Sequence, residues 1–402
     1  MRFPEFTEEW ETKKLGEIIV EGKLGGNYEN SESYKGFPVI KMGNLGRGEI
    51  VLDKIQYLSQ NEKYNEDDVL KAGDLLFNTR NTLELVGKVA IWRNELPFAL
   101  YNSNLMRIKV NNLLEPSNRF LNLYFNTNGA INQLRSFATG TTSVAAIYSR
   151  DLAGFTVIFP SVQEQIKIAS FLSLIDERIT TQNKIIKELK VLKTTITKRI
   201  FSGQLRFKNA GGTNYEDWKT KKLGDVTTLI NKRNKNNEKL PVYSINNKLG
   251  FVPQSEQFEG VDSEDRGYDI TLYKIIDKNT FAYNPARINV GSIGYSGYLE
   301  NIIISSLYVC FKTDESVNDN FLFQYLKTDF FNKEVLRNVE GGVRDYLFYE
   351  NFARIKFDLP CVEEQRKIAD YLSSIDLKID IETQFLNKLE EQKKFLLQQM
   401  FV

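Results

Sequence analysis

Four short stretches of the sequence carry residues in arrangements that catalytic sites use, and none of them fits its pattern. The segment 284–287, NPAR, is close to the Asn-Pro-Pro-aromatic loop with which adenine-specific DNA methyltransferases hold a flipped base, but it lacks the second proline and the aromatic residue. The segment 22–26, GKLGG, has the wrong spacing for a phosphate-binding GxxxxGK[ST] loop. The segments 188–190 and 391–393 match the Glu-x-Lys letters of metal-dependent nucleases, but both lie within predicted helices. We therefore interpret 284–287 as a loop and predict no catalytic residues.

The absence of histidine excludes several classes of site at once. None of the 402 residues is histidine, so Ser-His-Asp and Cys-His triads, histidine general bases and Cys/His zinc sites are all excluded. Cys310 and Cys361 stand in unrelated contexts and form no metal-type pair. Two thiols in so long a chain suit a reducing compartment, and we expect a cytoplasmic protein. No apolar run approaches the roughly 18 residues of a membrane span, so no membrane partner is expected.

The remaining candidates are polar, glycine-containing loops that could contact DNA. Arg and Asn can bond a base edge through two atoms, whereas Lys and Thr mostly contact phosphate. In the first half of the chain the candidate DNA-binding residues are Lys41, Asn44, Arg47, Asn78, Arg80, Asn81, Thr141, Thr142 and Ser143. In the second half they are Lys232, Arg233, Lys235, Asn246, Lys248, Arg287, Asn289 and Arg344. Because the net charge is only +1, a DNA-binding chain of this composition must segregate its basic residues onto one face.

These loops belong to a chain that is internally duplicated. The segment PSVQEQIKIASFLSLIDERI from Pro160 matches PCVEEQRKIADYLSSIDLKI from Pro360, 200 residues later. The segment WETKKLGEI from Trp10 matches WKTKKLGDV from Trp218, 208 residues later, so the intervening middles differ in length by eight residues. The ends are kept while the middles diverge, which predicts two half-molecules with a common frame and different inserts.

The repeated C-terminal segments predict two long helices. Apolar residues recur in alternating steps of three and four from Ile168 to Ile200 and from Ile368 to Met400, a spacing typical of a coiled coil. Two matched stripes in one chain favour pairing with each other, and each rises roughly 48 Å at ~1.5 Å per residue. The slots without an apolar residue fall at the same places in both repeats: Gln182 and Lys193 in the first, Glu382 and Lys393 in the second.

The middles predict a mixture of strands and helices. The first has strand-like runs at 37–42, 49–58, 73–78, 87–92, 104–110 and 155–160, with a helix at about 116–137. The second has strand-like runs at 241–246, 270–277, 280–284, 291–296, 301–312 and 354–360, with a helix at about 319–339. The predicted fold class is α+β, with two α/β domains joined by two long antiparallel coiled-coil helices and an internal pseudo-twofold duplication.

The duplication also predicts the domain boundaries. The two α/β domains are expected at 1–159 and 218–359, and the two spacer helices at 160–202 and 360–402. The segment 203–217 contains three glycines and is predicted to link the halves.

The repeated motifs and the opening of the chain resemble those of a known family. RFPEFTEEWETKKLGE, YNPARINVGSIG and the two helix-start motifs, among them LPCVEEQRKIADYLSSID, are similar to the specificity (S) subunits of type I restriction-modification systems. The resemblance covers the chain from Arg2 to Val402, and its most specific part is the helix-start motif in two copies. The second repeat departs from the pattern with GGTNYEDW in place of PEFTEEW, and Cys361 stands where proline is more frequent.

The resemblance implies a non-catalytic DNA-binding subunit. Each middle would be a target recognition domain that reads one half of a bipartite, asymmetric site in double-stranded DNA, and the helix pair would set the gap. Two modification (M) subunits would supply S-adenosylmethionine and methyl transfer, and restriction (R) subunits would add ATP-driven translocation and Mg²⁺-dependent cleavage. No cofactor is expected on this chain.

Two functions of other classes fit parts of the sequence. A stand-alone DNA methyltransferase or methyltransferase-nuclease fusion would need the cofactor loop and base-gripping motif that are missing. A purely structural coiled-coil protein would leave the two α/β middles unexplained. Filter binding with mixed duplex DNA, with and without co-expressed partners, separates the three functions.

Overall fold

In the computed structural model, which describes residues 2–32, 36–110, 117–257, 267, 269–340 and 346–401, the contacts between residues divide the chain into two units. Unit 1 consists of Met1–Asn183 and Gln384–Val402, and unit 2 consists of Lys184–Thr383. Each unit therefore holds one predicted middle together with parts of both long helices.

Unit 1 is built from short strands and helices around one long helix. Its strands are β1 (Glu11–Lys14), β2 (Ile19–Leu24), β3 (Asn30–Ser31), β4 (Gly36–Ile40), β5 (Gln56–Ser59), β6 (Leu75–Asn78), β7 (Arg80–Asn81), β8 (Val89–Ile91), β9 (Leu100–Tyr101), β10 (Leu105–Val110), β11 (Thr139–Gly140), β12 (Ala145–Ala146) and β13 (Thr156–Phe159). Its helices are α1 (Leu15–Ile18), α2 (Asn118–Tyr124), α3 (Asn128–Phe137), α4 (Ser149–Ala153) and the first part of α5 (Val162–Phe201), with 3₁₀ turns at Met42–Asn44 and Glu66–Asp68.

Two four-stranded sheets form the body of unit 1. One has the strand order β2-β10-β6-β8, and the other has the order β3-β5-β4-β9. Leu75 and Phe77 of β6 share an apolar cluster with Phe120 of α2, whereas Leu76 between them packs in a cluster with Tyr101 of the second sheet. Because side chains alternate between the faces of a strand, the first sheet is buried on both sides, by helices and by the second sheet.

Unit 2 repeats this plan. Its strands are β14 (Lys219–Lys222), β15 (Thr227–Ile230), β16 (Val242–Asn246), β17 (Gly250–Pro253), β18 (Lys274–Ile276), β19 (Phe281–Tyr283), β20 (Ile293–Tyr295), β21 (Ile302–Ile304), β22 (Val309–Thr313) and β23 (Lys356–Leu359). Its helices are α6 (Leu223–Val226), α7 (Gln254–Gln257), α8 (Asp319–Tyr325), α9 (Asp329–Asn338), α10 (Tyr349–Arg354) and the first part of α11 (Val362–Met400), with 3₁₀ turns at Ile270–Leu272 and Ile288–Val290. Its sheets have the orders β15-β22-β19-β20 and β17-β16-β21-β18.

The repeated tryptophan-headed segment pairs with the strand that leads into each long helix. β1 pairs antiparallel with β13, and β14 pairs with β23 in the same register. The glycine of the repeated Leu-Gly pair lets a later helix of the unit, α4 or α10, approach closely. A Cβ at Gly16 would lie 3.0 Å from Cβ of Ala153 in α4, and one at Gly224 would lie 2.7 Å from Cβ of Ala353 in α10. The sequence repeat is therefore a repeat of packing.

A buried carboxylate at the start of each long helix ties that helix to an upstream arginine. Glu164, in the first turn of α5, accepts hydrogen bonds from Nε and Nη2 of Arg2 at 2.8 and 2.7 Å. Glu364, in the first turn of α11, accepts from the same two nitrogens of Arg206, both at 2.8 Å, and from Nε1 of Trp218 at 3.0 Å. The helix dipole also favours a carboxylate at these positions.

The glutamine that follows each buried carboxylate fastens the helix to its domain. The side chain of Gln165 accepts the backbone N–H of Ser117, the N-cap residue of α2, at 2.9 Å and donates to the carbonyl of Pro160 at 2.9 Å. Gln365 makes the equivalent bonds at 2.7 Å to the N-cap residue of α8 and at 2.8 Å to the carbonyl of Pro360. The Glu-Gln motif thus bonds both the upstream segment and the domain.

Within each unit the two long helices run antiparallel. In unit 1, Asp176 of α5 bonds Nζ of Lys393 of α11 at 2.6 Å, and earlier residues of α5 share an apolar cluster with later residues of α11. In unit 2, Lys193 of α5 bonds Asp376 of α11 at 2.5 Å. The two lysines that interrupt the apolar stripes, Lys193 and Lys393, are therefore ion-paired with the opposite long helix. None of the helices in the described part of the chain is long and apolar enough to cross a membrane.

The structure confirms the predicted fold class and corrects several element boundaries. The helix predicted at 116–137 is two helices, because Thr127 starts a new one by accepting the N–H of Ala130 on its hydroxyl at 3.3 Å. Thr328 makes the same break between α8 and α9. The strand predicted at 301–312 is β21 and β22, which a turn separates because they belong to different sheets.

Two further predicted strands are only partly extended. Of the run 49–58, the structure has a strand only from Gln56 onward, in β5. The run 270–277 begins as a 3₁₀ turn and becomes a strand at Lys274. In the second case the side chain of Asp269 accepts the N–H of Thr271, which favours a turn over an extended backbone.

Glu364→Ala should destabilise unit 2, because it removes the carboxylate that accepts from Nε of Arg206 and from the indole N–H of Trp218. A hydrogen bond to a charged group contributes about 1.5–3 kcal/mol, and since both donors are partly exposed we expect a loss of about 1–3 kcal/mol in the free energy of unfolding measured by urea titration. Glu363→Ala, an exposed neighbour in the same helical turn, is the matched control and should change stability by less than about 0.5 kcal/mol. Equal losses in the two variants would show that Glu364 is not an anchor.

Candidate nucleic-acid interface

Each unit places a polar turn after the same strand of its first sheet. In unit 1, β6 ends at Asn78, whose Oδ1 accepts the backbone N–H of Arg80 at 3.2 Å. In unit 2, the residue after β19 is Asn284, whose Oδ1 accepts the N–H of Ala286 at 3.0 Å. An asparagine that bonds the backbone two residues on is a standard way to close a turn. The asparagine of the NPAR segment therefore shapes a loop, as the sequence analysis predicted.

The candidate residues of unit 1 fall in three loops, 41–47, 78–81 and 141–143. The second and third of these loops meet in a small sheet. β7, which contains Arg80 and Asn81, pairs with β12, and β12 pairs with β11 across the hairpin that carries 141–143. The N–H of Leu83 donates to the carbonyl of Thr142 at 3.1 Å, which holds the hairpin tip against the turn after β7. Arg80 and the hairpin tip are exposed, and the guanidinium of Arg80 makes no hydrogen bond or ion pair with any described residue. This side chain is available to an external partner.

A basic cluster of Arg47, Lys88 and Arg135 borders the hairpin. Nη2 of Arg47 and Nη2 of Arg135 both donate to the carbonyl oxygen of Glu84, at 3.3 and 3.4 Å. Because Glu84 directly follows Leu83, the basic cluster lies beside the hairpin tip. The loop 41–47, through Arg47, therefore joins the other two.

The basic cluster is held in an electrostatically unfavourable state. Burial, and then the charge of Arg135, lower the pKa of Arg47, while the carboxylate of Glu84 opposes the shift. Burial, and then the charge of Arg47, lower the pKa of Lys88. Nη1 of Arg47 is buried and has no hydrogen-bond partner among the described residues. An anion beside the cluster would relieve this repulsion and accept the unpaired N–H groups, which is the chemistry of a DNA phosphate.

Three predicted residues of unit 1 have their side chains engaged inside the unit. Asn44 and Asn78 are buried. The amide of Asn44 donates to two backbone carbonyls at 3.0 and 3.1 Å, and Asn78 closes the turn after β6. Nζ of Lys41 donates to the side chains of Asn30 and Gln56 at 3.0 and 2.8 Å. We therefore correct the candidate set: Asn44 and Asn78 are buried and shape their loops, whereas DNA contact by Lys41 stays a prediction.

In unit 2, four of the predicted residues lie in two neighbouring turns. Asn246 and Lys248 are in the turn between β16 and β17, where Oδ1 of Asn246 accepts the backbone N–H of Lys248 at 2.8 Å. Arg287 and Asn289 are in the turn between β19 and β20, and a Cβ at Gly291 of that turn would lie 3.2 Å from a backbone oxygen of the first turn. Lys248 and Arg287 are exposed, and their charged groups bond no described residue.

The other predicted residues of unit 2 are not brought to these turns. Arg233 bridges to β18, the edge strand on the opposite side of the sheet from β17. Lys232 in the same loop forms an ion pair with Asp277 at 3.2 Å, and Lys235 is exposed. Arg344 lies outside the described residues.

The prediction from sequence missed Lys88 and Arg135 of the basic cluster. Arg135 lies in the last turn of α3, next to the buried Leu134, and Lys88 precedes the buried strand β8. An exposed cation beside a buried apolar residue is the ordinary pattern of any surface helix, so neither position carried a distinguishing signal. Only the tertiary structure shows that both cations lie near Arg47.

The described part of the chain offers no metal-binding cluster, and the thiol of Cys310 is buried. Within the described residues, no cluster of three or more Cys, Asp or Glu side chains could bind a metal ion. Cys310 is buried, and burial raises the pKa of its thiol to about 12. A buried thiol with so high a pKa is unreactive near neutral pH.

Comparison with known proteins gives a consistent result. The model of the family described as type I restriction modification DNA specificity domain matches residues 7–191 and again 215–391. The chain is 26% identical, over 97% of its length and 92% of the other protein, to the putative type I restriction enzyme MjaX specificity subunit of Methanocaldococcus jannaschii. It is 25% identical, over 96% of its length and 91% of the relative, to the MjaVIII specificity subunit of the same organism.

A solved structure has a similar fold. It is the crystal structure of a type I restriction-modification system S subunit from M. genitalium, with a TM-score of 0.58 and 16% sequence identity. The similarity covers 100% of this chain and 97% of that one. The two matches of the family model fall on the two halves of the internal duplication.

Arg47→Ala and Arg135→Ala should each weaken binding to duplex DNA by a similar factor whatever the DNA sequence, because phosphate contacts carry no base information. The slope of log K against log salt should fall by roughly 1 for each residue, as measured by fluorescence anisotropy over about 50–200 mM salt. Lys184→Ala removes an exposed cation from α5 and is the control, with no change of slope expected. An equal change in the control would mean that bulk charge, and not the basic cluster, sets the affinity.

Proposed function

Because the chain belongs to the type I restriction modification DNA specificity family, whose domain it contains twice, we propose that it reads a bipartite, asymmetric DNA site with one half-site per unit. Recognition of a DNA sequence is the function of a specificity subunit. The observation that carries the finer proposal is that both units build their exposed loops on the same frame but present them on different backbones. Arg80 and Asn81 are adjacent residues of strand β7, whereas Arg287 precedes a 3₁₀ turn that contains Asn289.

The difference between the two sets of loop residues argues against a palindromic site. Identical reading surfaces on a twofold frame would read the same sequence twice. Here Arg80 belongs to a strand that pairs with the hairpin 139–146, whereas Arg287 lies in a turn that touches the turn of Lys248. The two arginines are therefore presented in different surroundings, so the two surfaces should prefer different half-sites.

The long helices suit the role of a spacer. α5 contains 40 residues and α11 contains 39, so each extends roughly 60 Å at ~1.5 Å per residue. Two half-sites one helical turn of DNA apart are separated by about 34 Å, which is well within this length. We propose that the length of the helix pair sets the number of base pairs between the half-sites.

Repeated exposed apolar residues on the long helices support two copies of one partner. Phe171 and Tyr371 occupy equivalent positions in the duplication and are 38% and 41% exposed. Ile185 and Phe385 are a second equivalent pair, 37% and 41% exposed. Equivalent surfaces in a pseudo-twofold molecule can bind identical partners. We propose that two M subunits dock here, and that R subunits complete the complex.

The chain itself is proposed to be non-catalytic. The sequence lacks the residues that methyl transfer or DNA cleavage would need, so S-adenosylmethionine, ATP and Mg²⁺ are assigned to the partner subunits. Since those reactions act on DNA, we expect the complex to work in the cytoplasm. The alternative, a stand-alone methyltransferase or methyltransferase-nuclease fusion, predicts methyl transfer or cleavage by the purified chain alone.

Exchange of residues 20–155 for the matching segment of a relative, with both long helices intact, tests the assignment of one half-site to each unit. One half of the methylated motif should change, while the other half and the gap stay the same, because the exchanged segment contains only the loops of unit 1. Methylation mapping of a host that carries the complex gives the motif directly. If both halves change together, the two units form a single reading surface and the bipartite model is wrong.

A second arm of that experiment tests the spacer. Insertion of about one helical turn after Lys190 adds ~5.4 Å of rise, which should lengthen the gap by one or two base pairs and leave both half-sites readable. An unchanged gap would show that the length of the helix does not set the spacing between the half-sites.

Ile185→Asp and Phe385→Asp should each remove one of the two M subunits, and the double variant should remove both, because a charge replaces an apolar contact at one of two equivalent surfaces. A loss of at least about tenfold in affinity per site, equal to 1.4 kcal/mol, is expected from native mass spectrometry of mixtures with the M subunit. Lys187→Asp, on the same helix, is the control.

A methyl-transfer assay is the second measurement for the M-subunit variants. The chain alone should transfer no methyl group to duplex DNA with S-adenosylmethionine, and the complex with M subunits should do so. Two M subunits on each single variant would place the docking surface elsewhere.

A further inference from the structure

Unit 2 contains an open cavity between the start of α9 and the part of α5 that belongs to this unit.

 The cavity of 560 Å³ is lined by residues of both helices and by the turn between α8 and α9. We call it the lysine groove after the four lysines that line it: Lys193, Lys198, Lys327 and Lys333. The groove lies apart from the exposed turns of the candidate interface.

The charges of the lysine groove are largely unpaired. Asp329 is the one acidic residue among the described residues that line it. Nζ of Lys193 forms an ion pair with Oδ1 of Asp376 at 2.5 Å. Lys198, Lys327 and Lys333 form no ion pair with any described residue. A surface with three unpaired ammonium groups around one cavity attracts anions.

Two further observations point to a missing anionic partner. The ammonium group of Lys327 lies 3.8 Å from the centre of the Phe323 ring, and burial followed by the charge of Lys193 lowers the pKa of Lys327. The carboxylates of Asp376 and Asp380 oppose that shift. The hydroxyl oxygen of Thr197, also in the lining, is buried and has no hydrogen-bond partner among the described residues. The groove thus brings together cations that repel each other.

The corresponding cavity of unit 1 shows that the fold does not require this charge. It lies between the start of α3 and the part of α11 that belongs to unit 1, and its volume is 310 Å³. Its charged lining is balanced between three acidic and three basic side chains: Glu49, Asp176 and Glu390 against Arg93, Lys393 and Lys394. The positive charge is therefore specific to unit 2.

We propose that the lysine groove binds phosphate groups. Ammonium groups act as point charges that bind phosphate oxygens without a fixed geometry. In the setting of the proposed function, on which this inference rests, the phosphates belong to the backbone of duplex DNA. α9 connects the two sites, because Val335 packs in the same apolar cluster as Ile288 of the 3₁₀ turn after Arg287. Binding here adds affinity to unit 2 and no sequence preference.

The test compares the full chain with the double variant Lys327→Ala/Lys333→Ala. The matched control is Lys187→Ala/Lys394→Ala, which removes the same charge from exposed positions on the long helices. The first readout is the slope of log K against log salt for duplexes with and without the mapped site. The second is calorimetric titration with inorganic tripolyphosphate, which contains phosphate but no base or sugar. Thermal unfolding shows whether each variant is folded.

The expected result is a salt slope lower by about 2 in the groove variant on every duplex, an unchanged ratio between specific and non-specific binding, and no change in the control. An unchanged slope with tripolyphosphate binding that only the groove variant loses would also support a phosphate site, with a free phosphate compound as its ligand. If the groove variant matches the parent chain in both readouts, the inference is wrong. Failure of the parent chain to bind any DNA would refute the proposed function, whereas the tripolyphosphate titration would still decide the groove.

Discussion

The ion pair that neutralises a buried carboxylate at the start of each long helix is the interaction on which the rest of the structure depends. Glu164 with Arg2, and Glu364 with Arg206, join a helix to a segment more than 150 residues away in sequence. A buried ion pair contributes little net stability, but it tolerates few geometries, because a misplaced partner leaves a charge unpaired. The pair therefore specifies how the helix leaves its domain. The segment 203–217, predicted as a linker, supplies the arginine of the second pair and is part of this joint.

The same reasoning applies to the polar slots of the long helices. An apolar stripe alone would allow the helices to slide past each other by a heptad, since each step offers similar contacts. Asp176 with Lys393 in unit 1, and Lys193 with Asp376 in unit 2, bond well in one antiparallel register. If the helices set the gap between half-sites, that register must be unique, and the repeated ion pairs give a physical reason for it.

The charge distribution explains how a chain with a net charge of +1 can bind a polyanion. The basic cluster of unit 1 and the lysine groove of unit 2 each bring several cations together locally. In both places burial and a neighbouring cation lower a pKa, that of Arg47 and that of Lys327. We propose that the exposed guanidinium groups of Arg80 and Arg287, which bond no described residue, contact the edges of bases.

The sequence by itself determined the duplication, the two long helices, the α/β character of the middles and the segments that form exposed turns, because each depends on a local period or a direct repeat. Only the tertiary structure decided which polar residues of those turns face outward. Asn44 and Asn78 have the composition of contact residues but are buried, and Lys88 and Arg135 gain their importance from Arg47, which is more than 40 residues from either. Burial and charge clustering depend on which distant segment covers or approaches a residue, and no local pattern encodes that.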